Sequence, residues 1–148
     1  MIIKTAIVKQ VSGVTLVAKG DSNHWVVIDG APSLGGSEAG SSPKELLLFA
    51  LGGCTAFDVI DILRKKRAPV ENVEIKLTGD AREEHPQVFT KIHLEYVIYG
   101  EGVKNTDVER AIELSTTKYC SVHAMLAPGV PITHSYKIIE SKDPISIN

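Results

Sequence analysis

Two cysteines, Cys54 and Cys120, are the only thiols in this 148-residue sequence, and they are the residues best suited to chemistry. A thiolate is a strong nucleophile and an easily oxidised group, so two thiols brought together could form a redox pair. His123 follows Cys120 at i+3, a spacing that puts a thiol and an imidazole on one face of a helix. Each thiol also has a plainer reading, because free cysteine often serves as a small buried hydrophobe. Cys54 lies about three turns into its predicted helix, beyond reach of the N-terminal dipole, so a reactive thiolate there needs a cation from elsewhere.

The element that must position Cys54 is the stretch SSPKELLLFALGGCTAFDVIDILRKKR, residues 41–67. Ser42, Pro43 and Glu45 match a helical capping box with proline at the first position. The basic Arg64-Lys65-Lys66-Arg67 run suits a helix C-terminus, and Pro69 ends the element. The first half of the helix is apolar all round, which requires burial on every side. Gly52 and Gly53, with Ala50 and Ala56, make a small-residue patch where another backbone can approach. A second copy of the chain packed around this helix is the expected cover. At 100° per residue Leu47, Leu51, Cys54, Asp58 and Asp61 share a face. Cys54 thus sits where the face turns from apolar to acidic, either at a pocket mouth or where the helix emerges into water. The second reading is expected for the two aspartates, with Asp61 pairing to Lys65 at i+4. Neither suits thiol activation, since a nearby carboxylate raises a thiol pKa.

Around the helix, residues 2–10, 14–19 and 24–28 read as three strands of an antiparallel meander, separated by Gly- and Ser-rich turns. Residues 29–42 are a long Gly/Ser/Pro loop, either functional or simply mobile. Residues 70–80 and 89–100 alternate as a hairpin with a polar tip. That tip carries Glu83, Glu84 and His85, three neighbours that lack metal-ligand geometry. Residues 105–119 form a second helix, and 120–126 continue it or begin a new turn. Residues 132–139 make the last strand, and 141–148 are expected to fray. The result is an α+β fold ordered β-β-β-α-β-β-α-β, in a single domain spanning 1–148.

Composition excludes several classes. A net charge of -2 argues against a general nucleic-acid binder. The N-terminal residues lack a signal-peptide pattern. The longest apolar run, extended by small residues to Phe57, falls short of the ~20 residues that a membrane span needs. A cytoplasmic chain is expected, in which paired cysteines would be redox-active rather than structural.

The segments PKELLLFALGGCTAFDVI and TTKYCSVHAML, followed by ITHSY, resemble the two cysteine motifs of the OsmC/Ohr family of small stress-associated proteins, closest to its YhfA-like branch. The resemblance covers nearly the whole chain. It implies an OsmC-like fold with a long central helix, assembled as an intertwined homodimer with two equivalent sites near the interface. It also implies thiol-dependent reduction of organic hydroperoxides in oxidative-stress defence, with Cys54 the peroxidatic thiol and Cys120 the resolving one. The partners are then a small hydroperoxide and an external dithiol reductant, with no cofactor and no metal. Glu45 and His123 join the candidate site, although Lys44 occupies the position of the family glutamate and Glu45 lies one residue late. The family's peroxidases draw an arginine from their N-terminal strands. Here no arginine precedes Arg64, and Lys4, Lys9, Lys19 and Lys44 are the cations before it. Lys19 lies in roughly the right region but cannot reproduce a guanidinium fork. Two other readings stay open: a non-peroxidase member that binds a small apolar or electrophilic molecule, and a structural dimer with inert cysteines.

Overall fold

The β-branched run early in the chain forms β1 (Ala6–Ser12), followed by β2 (Thr15–Gly20) and β3 (Val26–Ile28). They pair antiparallel in the order β1-β2-β3. The turns between them use left-handed backbone at Gly13 and Asn23. A computed structural model describes residues 1–140; the expected fraying of 141–148 lies outside them. The chain divides into two compact units, Met1–Leu47 and a second beginning at Leu48.

In the first unit the long loop after β3 is internally ordered. Asp29 is buried and accepts hydrogen bonds from the backbone N–H of Gly30, Ser37 and Ala39 and from the hydroxyls of Thr15 and Ser37. Burial disfavours its charge, but those donors outweigh it and hold the carboxyl well below the usual carboxylate range. The sheet itself is thinly covered: Ile7, Val8 and Val11 of β1 are all exposed.

The central helix, α1 (Pro43–Lys65), forms where the capping box predicts. The Ser42 N–H donates to Glu45 Oε2 at 2.6 Å, and the Glu45 N–H donates to Ser42 Oγ at 3.4 Å. At the far end Asp61 pairs with both Arg64 and Lys65 at 2.6 Å. In the second unit Leu51, Gly52, Thr55, Val59 and Leu63 form the buried stripe of α1. They join a core with alternate residues of the central strand of a second sheet. That sheet has the order β4 (Asn72–Ala81), β5 (Phe89–Tyr99), β6 (Ile132–Ile139). β4 and β5 are antiparallel, whereas β5 and β6 are parallel. Ile92, Leu94, Tyr96 and Ile98 of β5 are buried, as period-2 alternation requires. α2 (Asn105–Leu114) adds Val108, Ala111 and Ile112. Each fully buried aliphatic side chain of this core is worth about 1.5–3 kcal/mol.

Two expectations need correction. The second helix does not run to residue 119: α2 ends at Leu114, a π-helical turn covers Ser115–Tyr119, and α3 (Ser121–Leu126) starts afresh. As expected of a helix too apolar for one chain to cover, α1 is left bare on one side: Phe57 is 79% and Phe49 56% exposed, and Leu47 and Ile60 are exposed too. Finally, α1 is long and apolar enough to cross a membrane once Asp58 and Asp61 are allowed within its apolar stretch. Its buried stripe makes it a core helix of the second unit. The two glycines differ: a Cβ on Gly52 would lie 2.7 Å from Leu77 Cδ1, whereas one on Gly53 would meet nothing within 4 Å.

Candidate functional site

Cys54 and Asp58 stand one turn apart on α1, and Cys120 lies between the π-helical turn and α3. The Sγ atoms of the two cysteines and a carboxylate oxygen of Asp58 all lie within 4.8 Å of one another. Cys54 is half-buried; Cys120 is buried, at 3% exposure.

The local sequence explains how Cys120 reaches this place. The Thr116 hydroxyl donates to Ile112 O at 3.0 Å and the Thr117 hydroxyl to Glu113 O at 2.6 Å. Such back-bonding competes with regular helical pairing and bends helices. The Cys120 N–H then bonds to Ser115 O at 2.8 Å, closing a five-residue turn of the kind often found at functional sites. Cys120 itself is extended and caps α3, its Sγ accepting from the His123 N–H at 3.3 Å.

A buried chain of hydroxyls supports the cluster. Tyr96 Oη and Thr55 Oγ1 are 2.7 Å apart, Thr55 Oγ1 and Ser115 Oγ 2.8 Å, and Ser115 Oγ donates to Asp58 Oδ2 at 2.9 Å. The chain crosses from β5 through α1 to the π-helical turn, so one network fixes three elements at the thiols. Burial pushes the Cys120 thiol up to about 12, reinforced by its hydrogen bond to Cys54 and by the negative charges of Cys54 and Asp58, against the opposing His123 N–H. Burial also raises Tyr96. Cys120 is therefore the protonated member of the pair at neutral pH.

The remaining sequence candidates fall elsewhere. Glu45 is engaged in the capping box, and its hydrogen bonds to Ser42 lower its carboxyl pKa. His123 meets Cys120 through its backbone amide rather than the expected imidazole, and its ring is not among the ligating groups gathered at the thiols. Burial, with the neighbouring His134 charge, lowers the pKa of that ring. Lys19 Nζ donates to Asn23 Oδ1 at 2.7 Å and lies 4.9 Å from the Trp25 ring centroid. Asp58 corrects the reading that both aspartates simply meet solvent. Asp61 does so, paired with Lys65, but Asp58 is half-buried and wired to Ser115. Sequence reasoning also missed Thr55, Ser115 and Tyr96. A threonine inside an apolar helix and a Ser-Thr-Thr run inside a predicted one were the available signals. The cavity next to the cluster, about 560 Å³, is lined by Asp58 and by Phe57, Asp61, Ile62, Lys65, Lys66, Leu114 and Tyr119. Neither thiol lines it, so the apolar mouth anticipated at Cys54 lies instead beyond Asp58.

The family model described as OsmC-like protein matches residues 35–135. The chain belongs to the OsmC-like family. Protein YhfA of Escherichia coli (strain K12) is 43% identical to this OsmC-like chain over 132 residues, which is 89% of the chain and 96% of YhfA. Among solved structures, a hypothetical protein from Aquifex aeolicus VF5 superposes with a TM-score of 0.79 at 35% identity, covering 95% of this chain and 100% of that one. An organic hydroperoxide resistance protein from Elizabethkingia anophelis shares the fold, with a TM-score of 0.66 at 14% identity over 93% and 98% of the two chains. The α+β architecture of two sheets and three helices is thus that of the OsmC-like proteins.

Proposed function

We propose that this OsmC-like protein is a thiol-dependent hydroperoxide reductase acting through Cys54 and Cys120. The observation that carries this reading is the gathering of both sulfurs within 4.8 Å at the end of a buried hydrogen-bond network. The Cys54 thiolate attacks the O–O bond of an organic hydroperoxide. With one proton taken up, this gives an alcohol and the Cys54 sulfenic acid. The Cys120 thiol condenses with the sulfenic acid, forming the disulfide and releasing water. An external dithiol returns both cysteines to thiols by exchange. Holding Cys120 protonated until the sulfenic acid forms keeps it from competing as the first nucleophile.

The working unit in this proposal is a homodimer built on a single OsmC-like domain. The bare Phe49, Gly53, Ile60 and Phe57 side of α1 supports it, because a soluble chain rarely leaves so continuous an apolar stripe uncovered. A dithiol-reset cycle suits the cytoplasm.

The experiment is steady-state turnover of an organic hydroperoxide by reduced protein with excess dithiol. Turnover that disappears in Cys54→Ser supports the reading; wild-type protein that shows none would end it. One observation favours a second reading, a binder of small apolar or electrophilic molecules: a cavity of about 560 Å³ with Phe57, Ile62, Leu114 and Tyr119 in its walls opens beside Asp58.

A further inference from the structure

We infer that Cys54, Cys120 and Asp58 form a binding site for a thiophilic divalent metal ion of the zinc class, a state in which neither thiol can react with peroxide. The inference goes beyond the proposed peroxide chemistry and does not depend on it.

The donor set comes first. Two sulfurs and one carboxylate oxygen converge within 4.8 Å of one another. Around a tetrahedral zinc, with bonds of about 2.0–2.3 Å, ligand atoms stand about 3.3–3.8 Å apart. Side-chain adjustments of about an ångström therefore close the set. Thiolates select zinc-like ions over magnesium and calcium. Cys54 and Asp58 sit at i and i+4 on one helix face, so α1 presents two ligands together, and the start of α3 brings the third.

The surroundings have the properties of a ligand shell. Ligating carboxylates in metal sites are themselves held by hydrogen bonds. Here Ser115 donates to Asp58 and is fixed in turn by Thr55 and Tyr96. The Cys120 sulfur accepts a backbone N–H from His123. The charge balance points the same way. Two groups that become thiolates surround a carboxylate that makes no ion pair among the described residues. A divalent cation neutralises what is otherwise a cluster of mutually repelling anions. The cavity lined by Asp58 and Asp61 offers a route of entry. Three protein ligands leave a fourth position for water or a small anion.

Binding is balanced by proton release: both cysteines bind as thiolates, any thiol proton passing to solvent as the M–S bond forms, and Asp58 supplies a carboxylate oxygen. Oxidation of the pair to a disulfide removes both thiolate ligands, so metal retention and thiol oxidation exclude one another.

The test is titration of the full-length reduced protein with Co²⁺, followed by displacement with Zn²⁺. The expected result is one equivalent per chain, a thiolate-to-cobalt charge-transfer band and tetrahedral ligand-field absorption. Asp58→Asn should weaken binding by roughly tenfold or more, and Ser115→Ala, which keeps all three ligands, by about tenfold. The disulfide form should not bind. A folded, reduced protein with no charge-transfer band overturns the inference. So does cobalt affinity unchanged in Asp58→Asn, or in Ser115→Ala should the first variant fail to fold. Hydroperoxide turnover plays no part in the readout, so failure of the metal site and failure of the peroxidase reading are separable.

Discussion

The Ser115 hydroxyl donates a 2.9 Å hydrogen bond to the Asp58 carboxylate, joining residues 57 positions apart in sequence. The same hydroxyl is 2.8 Å from Thr55 Oγ1. Through this one serine the π-helical turn that carries Cys120 is held to the helix that carries Cys54. The distance between the thiols is therefore set by a polar network inside an otherwise apolar core.

Removing the centre of that network should be costly. Thr55→Val keeps the shape but leaves Tyr96 Oη and Ser115 Oγ each short of a buried partner. A loss of about 1–3 kcal/mol is expected in urea unfolding. Thr55→Ser, which keeps the hydroxyl, should lose only about 1 kcal/mol, the value of one buried methyl group.

The two thiols should differ sharply toward an alkylating reagent. Cys54 is half-buried, whereas Cys120 is buried and pushed up to about 12. Iodoacetamide at neutral pH should label Cys54 at least about tenfold faster, since each pKa unit removes tenfold in thiolate fraction. Peptide mass spectrometry reads the ratio. Equal labelling of both in folded protein would contradict the assignment of nucleophile.

The raised Cys120 pKa also predicts a pH dependence of stability. The folded state holds the Cys120 proton more tightly than the unfolded chain does. The associated stability is fully present below the ordinary thiol value of 9.0 and is lost as pH rises from there toward about 12. Urea midpoints measured at increasing alkaline pH should fall, and Cys120→Ala should flatten the decline. A midpoint that rises over this range would contradict the sign.

The glycine pair separates fold from assembly. Gly52→Ala places a Cβ 2.7 Å from Leu77 Cδ1. Leu77 Cδ1 is the tip of a half-buried side chain that can rotate away, so the crowding should do no more than offset the helix-propensity gain of about 1 kcal/mol and leave stability close to wild type. Phe57→Asp, on the exposed side of α1, should leave helical circular dichroism unchanged while shifting sedimentation from dimer to monomer. A wild-type monomer at micromolar concentration would contradict the proposed assembly.

Much of this architecture was legible because local signals were strong. Ser42, Pro43, Glu45 and the basic run marked both ends of α1, and alternation marked β4 and β5. The wording of their motifs singled out Cys54 and Cys120, and the structure brings their sulfurs within 4.8 Å of one another. What could not be read was long-range and polar. Asp58 looked like a solvent-facing helix residue, because nothing local says that a serine 57 residues later reaches it. The break at Leu114 was hidden because nothing as strong as a proline or glycine marks it; the Thr116 and Thr117 hydroxyls bond back to Ile112 O and Glu113 O there. His123 misled for the opposite reason. Its i+3 spacing is real, yet the cap geometry presents its backbone amide to the sulfur.

The central claim, that Cys54 and Cys120 work as one redox pair, is tested most directly by treating reduced protein with a single equivalent of organic hydroperoxide and mapping its sulfur bonds by mass spectrometry. An intramolecular Cys54–Cys120 disulfide should form rapidly, with Cys120→Ser instead trapping a sulfenic acid at Cys54. Thiols that remain reduced, or oxidation that begins at Cys120, would contradict it.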